Sequence, residues 1–312
     1  MSKARTLLLF DVDGVLLKEQ GYYRTLAVTC AYFYEQQCTQ LGIVPPLDRR
    51  ASAQSLAEVD SLRSVFLPEP LLAFLRDRAL NSNWDKTYAI VLAISRLSCD
   101  QLVAQALDQF ILDVLADVEG TGANFLRALE HKAAVFDQGF FQKVYQVFQQ
   151  VHLGSWPDTP FLRDGMIQFD ETMVDADLLI NVLQQLRNRG YSLGIGTGRP
   201  LQELTVPFAA HGLMAYFKQA QIVTIDDVRK AENEQGLTPF TLAKPHPYTY
   251  VLGAQDFLPE AVYVIGDSVS DQLAASAAGF HFIGVGAPAS FATHGHQPFA
   301  VIENVLHLLP LF

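Results

Sequence analysis

Cysteine is scarce in this chain. Its three thiols, Cys30, Cys38 and Cys99, are odd in number and lack Cys-x-x-Cys spacing, which excludes a disulfide framework and a zinc site and leaves reduced core thiols as the expectation. Positive charge is also short, with 22 Lys and Arg against 33 Asp and Glu and a formal net charge of -11. No Lys/Arg run relieves that balance, so neither nucleic acid nor an anionic membrane is an expected partner. Long hydrophobic runs are missing as well. The most apolar helical stretch, near Leu102 to Val118, is interrupted by Asp108 and Asp113 and does not suit a bilayer. The N-terminus starts positive, but its apolar stretch meets Asp11 too soon for a secretory signal. These absences point to a cytoplasmic protein. Half of the residues are hydrophobic, enough for a sizeable core, and the length suits one large or two moderate domains.

Proline is absent from Leu71 to Trp156, and there the apolar residues recur at helical intervals. Val103, Leu107, Phe110, Val114 and Val118 form one stripe, preceded by a Ser98/Gln101 capping box. Phe141, Val144, Tyr145, Phe148 and Val151 form another, and the spacing predicts the core of a helical bundle. The Pro45-Pro46 and Pro68 to Pro70 pieces read as interhelical loops. The flanking regions read differently. Thr6 to Phe10, Tyr191 to Ile195, Gln221 to Ile225, Val262 to Ile265 and Phe280 to Val285 are short apolar runs of strand length. Ala176 to Arg189 and Val269 to Ala278 have helical spacing between them. Strands alternating with helices predict an α/β core with a parallel sheet, interrupted by a helical insertion.

Four motifs carry candidate chemistry. Asp11-Val12-Asp13-Gly14 follows the first strand, at the edge where open α/β sheets bind ligands. One carboxylate there can attack while the other handles protons, although a plain turn has the same composition. Gly196-Thr197-Gly198-Arg199-Pro200 follows a second strand. Its glycines, Thr hydroxyl and following helix start suit an anion, and a strand-to-helix turn is the bland alternative. Lys244-Pro245-His246-Pro247 holds a lysine ahead of a proline-started helix through Tyr248 to Leu252, while His246 reads as packing or loop structure. Gly266-Asp267-Ser268-Val269-Ser270-Asp271 follows a further strand. Asp267 and Asp271, one helical turn apart, can converge on a hard cation; N-capping would account for Asp267 but not for the pair.

In this order and on these strands, the four motifs resemble those of the haloacid dehalogenase (HAD) superfamily hydrolases. The likeness is to the phosphatase type with a helical cap between motifs one and two, as in phosphoglycolate-phosphatase-like members. The resemblance implies an α/β, Rossmann-like doubly wound parallel sheet core, residues 1–17 and 171–312, with an inserted, mostly α-helical cap, residues 18–170. It implies a Mg2+-dependent phosphoric monoester hydrolase acting on a small phosphorylated metabolite. Asp11 would be the nucleophile that forms an aspartyl-phosphate, and Asp13 the general acid, then base. Thr197, Gly198 and Lys244 would bind phosphate. Asp11, Asp267, Asp271 and the backbone carbonyl of Asp13 would surround the metal, Asp271 directly or through water. At about 150 residues, the insertion is much longer than the small helical caps of the family.

Other readings remain beside this one: a phosphomutase on the same core, and a non-catalytic phosphate- or partner-binding relative. A dehalogenase would have little use for Asp13, because halide leaves without a proton. Gly284-Val285-Gly286-Ala287-Pro288-Ala289 matches a lax dinucleotide pattern but follows the last strong strand rather than the first. His294 and His296 lack an obvious third ligand. Glu19, Tyr22, Tyr23 and Arg24 begin the insertion and are candidate substrate contacts, although for the two tyrosines the start of a buried helix is the preferred reading. No oligomeric state is legible.

Overall fold

The computed structural model describes residues 6–78, 80, 82–133, 139–155, 161, 163–238, 240–255, 260–291 and 297–312. The chain divides into two compact units, one of residues 1–19 and 170–312 and one of residues 20–169.

The first unit is built on six parallel strands: β1 (Thr6–Phe10), β2 (Ser192–Gly196), β3 (Ile222–Val223), β4 (Ala261–Gly266), β5 (His281–Val285) and β6 (Ala300–Ile302). Their spatial order is β3-β2-β1-β4-β5-β6. β1 lies centrally, with Phe10 in register with Ile195 on one side and Ile265 on the other. The connections run outward in opposite directions from this pair of strands, so the sheet's switch point lies at the carboxyl ends of β1 and β4. Alternation along β1 sends Leu8 and Phe10 to one face with Leu179, Leu183 and Phe208, and Leu7 and Leu9 to the other with Tyr250, Ala274 and Ala275. Helices Ala176–Asn188 and Leu201–Ala210 cover the first face; Tyr248–Gln255 and Val269–Ala278 cover the second. Burial on both faces explains why these strands read as unbroken apolar runs.

Two strand expectations need correction. The run Gln221 to Ile225 contributes only Ile222–Val223, because Thr224 and Asp227 form a capping box that starts helix Ile225–Gln235 at Ile225. The strand Ala300–Ile302 has no counterpart among the expected elements.

The second unit is helical around its own core. Helix Gln20–Gln40 packs on Leu56–Phe66, Asn83–Ile94 and Phe140–Leu153. Asn83–Ile94 is buried from Lys86 through Ile94, as befits a central helix apolar nearly all round. The Ser98/Gln101 capping box is present, but the following stripe is not the expected one. The helix ends at Val103 and a new one begins at Leu107, so Leu102, Leu107, Ile111, Leu115 and Val118 are buried while Val103 is 47% exposed. In Phe140–Leu153 the buried face is Val144, Phe148, Val151 and His152, flanked by the partly buried Phe141. Pro70 stands within the first turn of helix Glu69–Asp77 rather than in a loop, where its missing N–H costs nothing. Cys30 and Cys38 are buried, but Cys99, at the start of a short helix, is exposed. Among the described residues, no helix is long and apolar enough to cross a membrane.

Candidate active site

Asp11 is the first residue beyond β1, and its backbone N–H donates to the Ile265 carbonyl at 2.8 Å, so the sheet ladder itself fixes its place. Its Oδ1 lies 3.0 Å from Lys244 Nζ, which also donates to Asp271 Oδ1 at 2.7 Å and approaches the Gly196 carbonyl at 3.4 Å. One ammonium thereby ties together the ends of β1 and β2 and the helix after β4. The Lys244–Pro245 peptide is cis, and His246 Nδ1 accepts the Tyr248 N–H at the start of helix Tyr248–Gln255.

Asp271 is fully buried. Besides Lys244, its Oδ1 accepts from Tyr250 Oη at 2.7 Å, and its Oδ2 accepts from Ser268 Oγ at 2.6 Å and from the Ser268 N–H at 3.3 Å, the latter half of the capping box that starts Val269–Ala278. Asp267 keeps solvent access, yet its carboxylate packs into the space that a side chain at Gly14 would fill. Gly14 has φ +70°, and a Cβ built there would lie 2.5 Å from Asp267 Cγ. That position therefore requires glycine twice, for its backbone conformation and for the close approach of the carboxylate. Asp11, Asp267 and Asp271 can each offer an oxygen to a common space, all within 4.8 Å of one another. Three hard carboxylate donors at this separation fit a divalent cation such as Mg2+.

The electrostatics point the same way. Burial pushes the Asp11 pKa up, with Asp271 and Asp13 adding to the rise and Lys244 opposing it. Asp267 is pushed up to about 8, by desolvation of its carboxylate first and then by the charges of Asp11 and Asp271. For Asp271 desolvation again acts upward, but Lys244 and the surrounding donors outweigh it and hold the pKa below the usual carboxylate value. Desolvation likewise opposes the charge on Lys244, yet Asp11 and Asp271 raise its pKa above that of a free lysine. One lysine stands against these three carboxylates, pairing with Asp11 and Asp271.

Thr197 follows β2, is buried, and accepts the Arg199 N–H on its Oγ1 at 3.1 Å, which leaves the hydroxyl proton free to donate elsewhere. Gly198 is exposed, has no positive φ, and a Cβ there would meet nothing within 4 Å. The tight glycine of this motif is instead Gly196, where a Cβ would come 2.6 Å from the Tyr250 ring. Pro200 is the N-cap of Leu201–Ala210.

Three site residues have no role in the motifs as read from the sequence: Arg199, Asp170 and Tyr250. Arg199, quoted within its motif but given no role, grips Asp13 through Nε at 3.1 and 3.0 Å and through Nη2 at 2.5 Å. Its Nη1 donates to Asp170 Oδ2 at 2.6 Å. The arginine in a strand-to-helix turn was a usable signal; nothing marked Asp170. Tyr250 was likewise unmarked.

Of the four candidates that begin the insertion, three are engaged within the helical unit. Tyr22 stacks on His152 with centroids 4.5 Å apart, Tyr23 Oη accepts from Arg76, and Arg24 pairs with Asp60 at 2.9 Å. Both tyrosines are buried, as a packed helix start requires, and Glu19 is half-buried. Gly284 packs on Phe291, and a 3-10 turn, Pro288–Ser290, follows rather than the helix a dinucleotide site needs. His294 and His296 lie outside the described residues.

The chain is 28% identical over 165 residues to pyrophosphatase PpaX from Bacillus pumilus (strain SAFR-032), covering 49% of this chain and 70% of that protein. An X-ray structure of a Northeast Structural Genomics Consortium target is similar across 99% of this chain and 98% of its own, with a TM-score of 0.77 and 25% identity. Phosphatase Tt82 from Thermococcus thioreducens shares the fold, with a TM-score of 0.55 and 19% identity over 90% of this chain and 92% of its own. The sequence profile of the haloacid dehalogenase-like hydrolases matches residues 6–279, spanning all four motifs, and the chain belongs to that family.

Proposed function

We propose that this hydrolase is a Mg2+-dependent phosphatase that cleaves a small phosphorylated metabolite through an aspartyl-phosphate on Asp11. The observation that carries the reading is the Asp11–Lys244 contact at 3.0 Å beside the Asp11, Asp267 and Asp271 cluster at the sheet's switch point. The likeness to a pyrophosphatase agrees with a phosphorylated substrate.

In the first half-reaction, an Asp11 oxygen bonds to phosphorus as the bond to the leaving oxygen breaks, and Asp13 gives that oxygen a proton. In the second, Asp13 takes a proton from water as the water oxygen attacks phosphorus, and the bond to Asp11 breaks. Lys244 and the Thr197 hydroxyl stabilise the phosphoryl oxygens. Asp11, Asp267 and the Asp13 carbonyl would hold the metal. Asp271 would act through water, because both its oxygens already accept from Lys244, Tyr250 and Ser268. Mg2+ bound there supplies positive charge against the repulsion between Asp11 and the phosphoryl group.

Phosphate release across a panel of phosphorylated metabolites tests the reading. Release from at least one monoester with Mg2+, abolished by EDTA and restored by added Mg2+, is expected. Full activity in excess EDTA with metal content verified contradicts the metal assignment, and transfer to a second hydroxyl without free phosphate would favour a mutase.

A further inference from the structure

We propose that Arg199 is the positioning residue that holds Asp13 as proton donor and acceptor, and that Asp170 holds Arg199 in turn; this rests on the phosphatase reading of Asp13. Asp13 sits on the turn after β1 with its side chain 29% exposed, so burial alone does not fix its carboxylate. Arg199, 1% exposed, closes on it with Nε and Nη2. A guanidinium fork sets the plane of a carboxylate, which a lysine ammonium cannot do. The guanidinium is itself fixed from behind by Asp170 and by the Glu203 carbonyl at 3.2 Å. Asp170 is anchored by His211 Nε2 on its carbonyl at 2.8 Å.

The placement of the two carboxylates adds meaning. Asp13 lies on the arm of the core that leads out to the insertion, and Asp170 is the first core residue on the returning arm. These arms are joined to each other: Lys18 N–H donates to the Glu171 carbonyl at 2.8 Å, Met173 N–H to the Leu16 carbonyl at 2.9 Å, and Leu17 bridges Thr172. Arg199 thus ties the proton-carrying side chain to both arms on which the insertion is strung. Displacing a catalytic group by about 1 Å can cost on the order of 100-fold in rate, so the fork has a catalytic consequence beyond stability.

The test compares kcat/KM for an alkyl monoester and for p-nitrophenyl phosphate, with Mg2+ present and phosphoryl transfer rate-limiting. The proteins are the full chain, Asp13→Asn, Arg199→Lys, Asp170→Asn and the double variant Asp13→Asn/Arg199→Lys. Arg199→Lys is expected to lose at least about 10-fold more on the alkyl ester, whose leaving group needs the proton, than on p-nitrophenyl phosphate. Asp170→Asn should lose in the same direction by less. In the Asp13→Asn background, Arg199→Lys should cost the alkyl ester nothing further, whereas a merely structural arginine would subtract in both backgrounds. Equal losses on the two esters in Arg199→Lys, with Asp13→Asn still selective, overturn the positioning role and leave the mechanism standing. Equal losses in Asp13→Asn itself overturn the Asp13 assignment and the positioning role with it. Should Arg199→Lys not fold, the near-isosteric Asp170→Asn carries the same comparison with the same two outcomes.

Discussion

Alanine at Gly14 is the smallest change that should damage the cation site while sparing the fold. Gly14 has φ +70°, a conformation that costs an L-residue about 1–2 kcal/mol. The added Cβ would also fall 2.5 Å from Asp267 Cγ, whereas carbon atoms pack at about 3.5–4.0 Å. The carboxylate must therefore retreat by roughly 1 Å, and as the end of a side chain it can do so by rotation instead of unfolding the loop. Two losses of different size follow. The melting temperature should fall by about 2–8 °C, taking roughly 2–4 °C per kcal/mol for a domain of this size. The Mg2+ concentration for half-maximal phosphate release should rise on the order of 10–100-fold, the scale seen when support of a metal ligand is disturbed. Gly198→Ala is the control: its Cβ meets nothing and its backbone is ordinary, so Mg2+ dependence should stay unchanged. A folded Gly14→Ala protein with wild-type Mg2+ dependence would show that Asp267 does not hold the cation.

The raised pKa values of Asp11 and Asp267 give a pH signature. Carboxylates that hold protons more tightly when folded contribute stability below their ordinary pKa, near 4, and that contribution is lost as pH rises towards about 8. In EDTA the melting temperature should fall between pH 5 and pH 8, and saturating Mg2+ should raise it more at pH 8 than at pH 5; equal increments contradict the site. Ca2+ should support turnover poorly, because it takes more and longer oxygen contacts, and full activity with Ca2+ would argue against the geometry. Replacing residues 20–169 by a short linker is feasible because Lys18 and Glu171 are hydrogen-bonded neighbours. If the insertion selects the substrate, the folded truncation should lose far more kcat/KM on its preferred metabolite than on p-nitrophenyl phosphate; proportional losses would assign the insertion a supporting role.

The central strands were legible because burial on both faces leaves a mark in composition, an unbroken apolar run ending in a carboxylate or a glycine. Ala300–Ile302 is too short to leave one, and within Gln221 to Ile225 the run did not show that the strand stops at Val223, where a capping box begins the next helix. The stripe from Val103 to Val118 misled because a periodic pattern does not show where the helix breaks. The irregular backbone between Val103 and Leu107 resets the phase and turns Leu102 inward in place of Val103. Asp11 and Asp267 were legible as carboxylates at strand ends, Asp271 as a partner one helical turn on and Lys244 as a lysine ahead of a proline-started helix, and the structure adds the contacts of Lys244 with Asp11 and Asp271. Arg199 reaches Asp13 across 186 positions, and Tyr250 reaches Asp271 across 21. Such partners share no local spacing, so no window along the chain could pair them. Tyr22 and Tyr23 at the start of the insertion suit either a substrate contact or a buried helix start, and their burial bears out the second.

A covalent bond between Asp11 and phosphorus distinguishes this mechanism from direct attack by water, and it can be trapped. An aspartyl phosphate is reduced by borohydride to homoserine, whereas a free carboxylate is not. The protein is quenched during turnover of p-nitrophenyl phosphate with Mg2+, reduced, digested and read by peptide mass spectrometry. Homoserine is expected at position 11 in the wild-type protein and not without substrate, with neither product nor phosphate release in a folded Asp11→Asn variant. Sustained phosphate release by Asp11→Asn, or turnover by the wild-type protein with position 11 unmodified and another residue labelled, would contradict this mechanism.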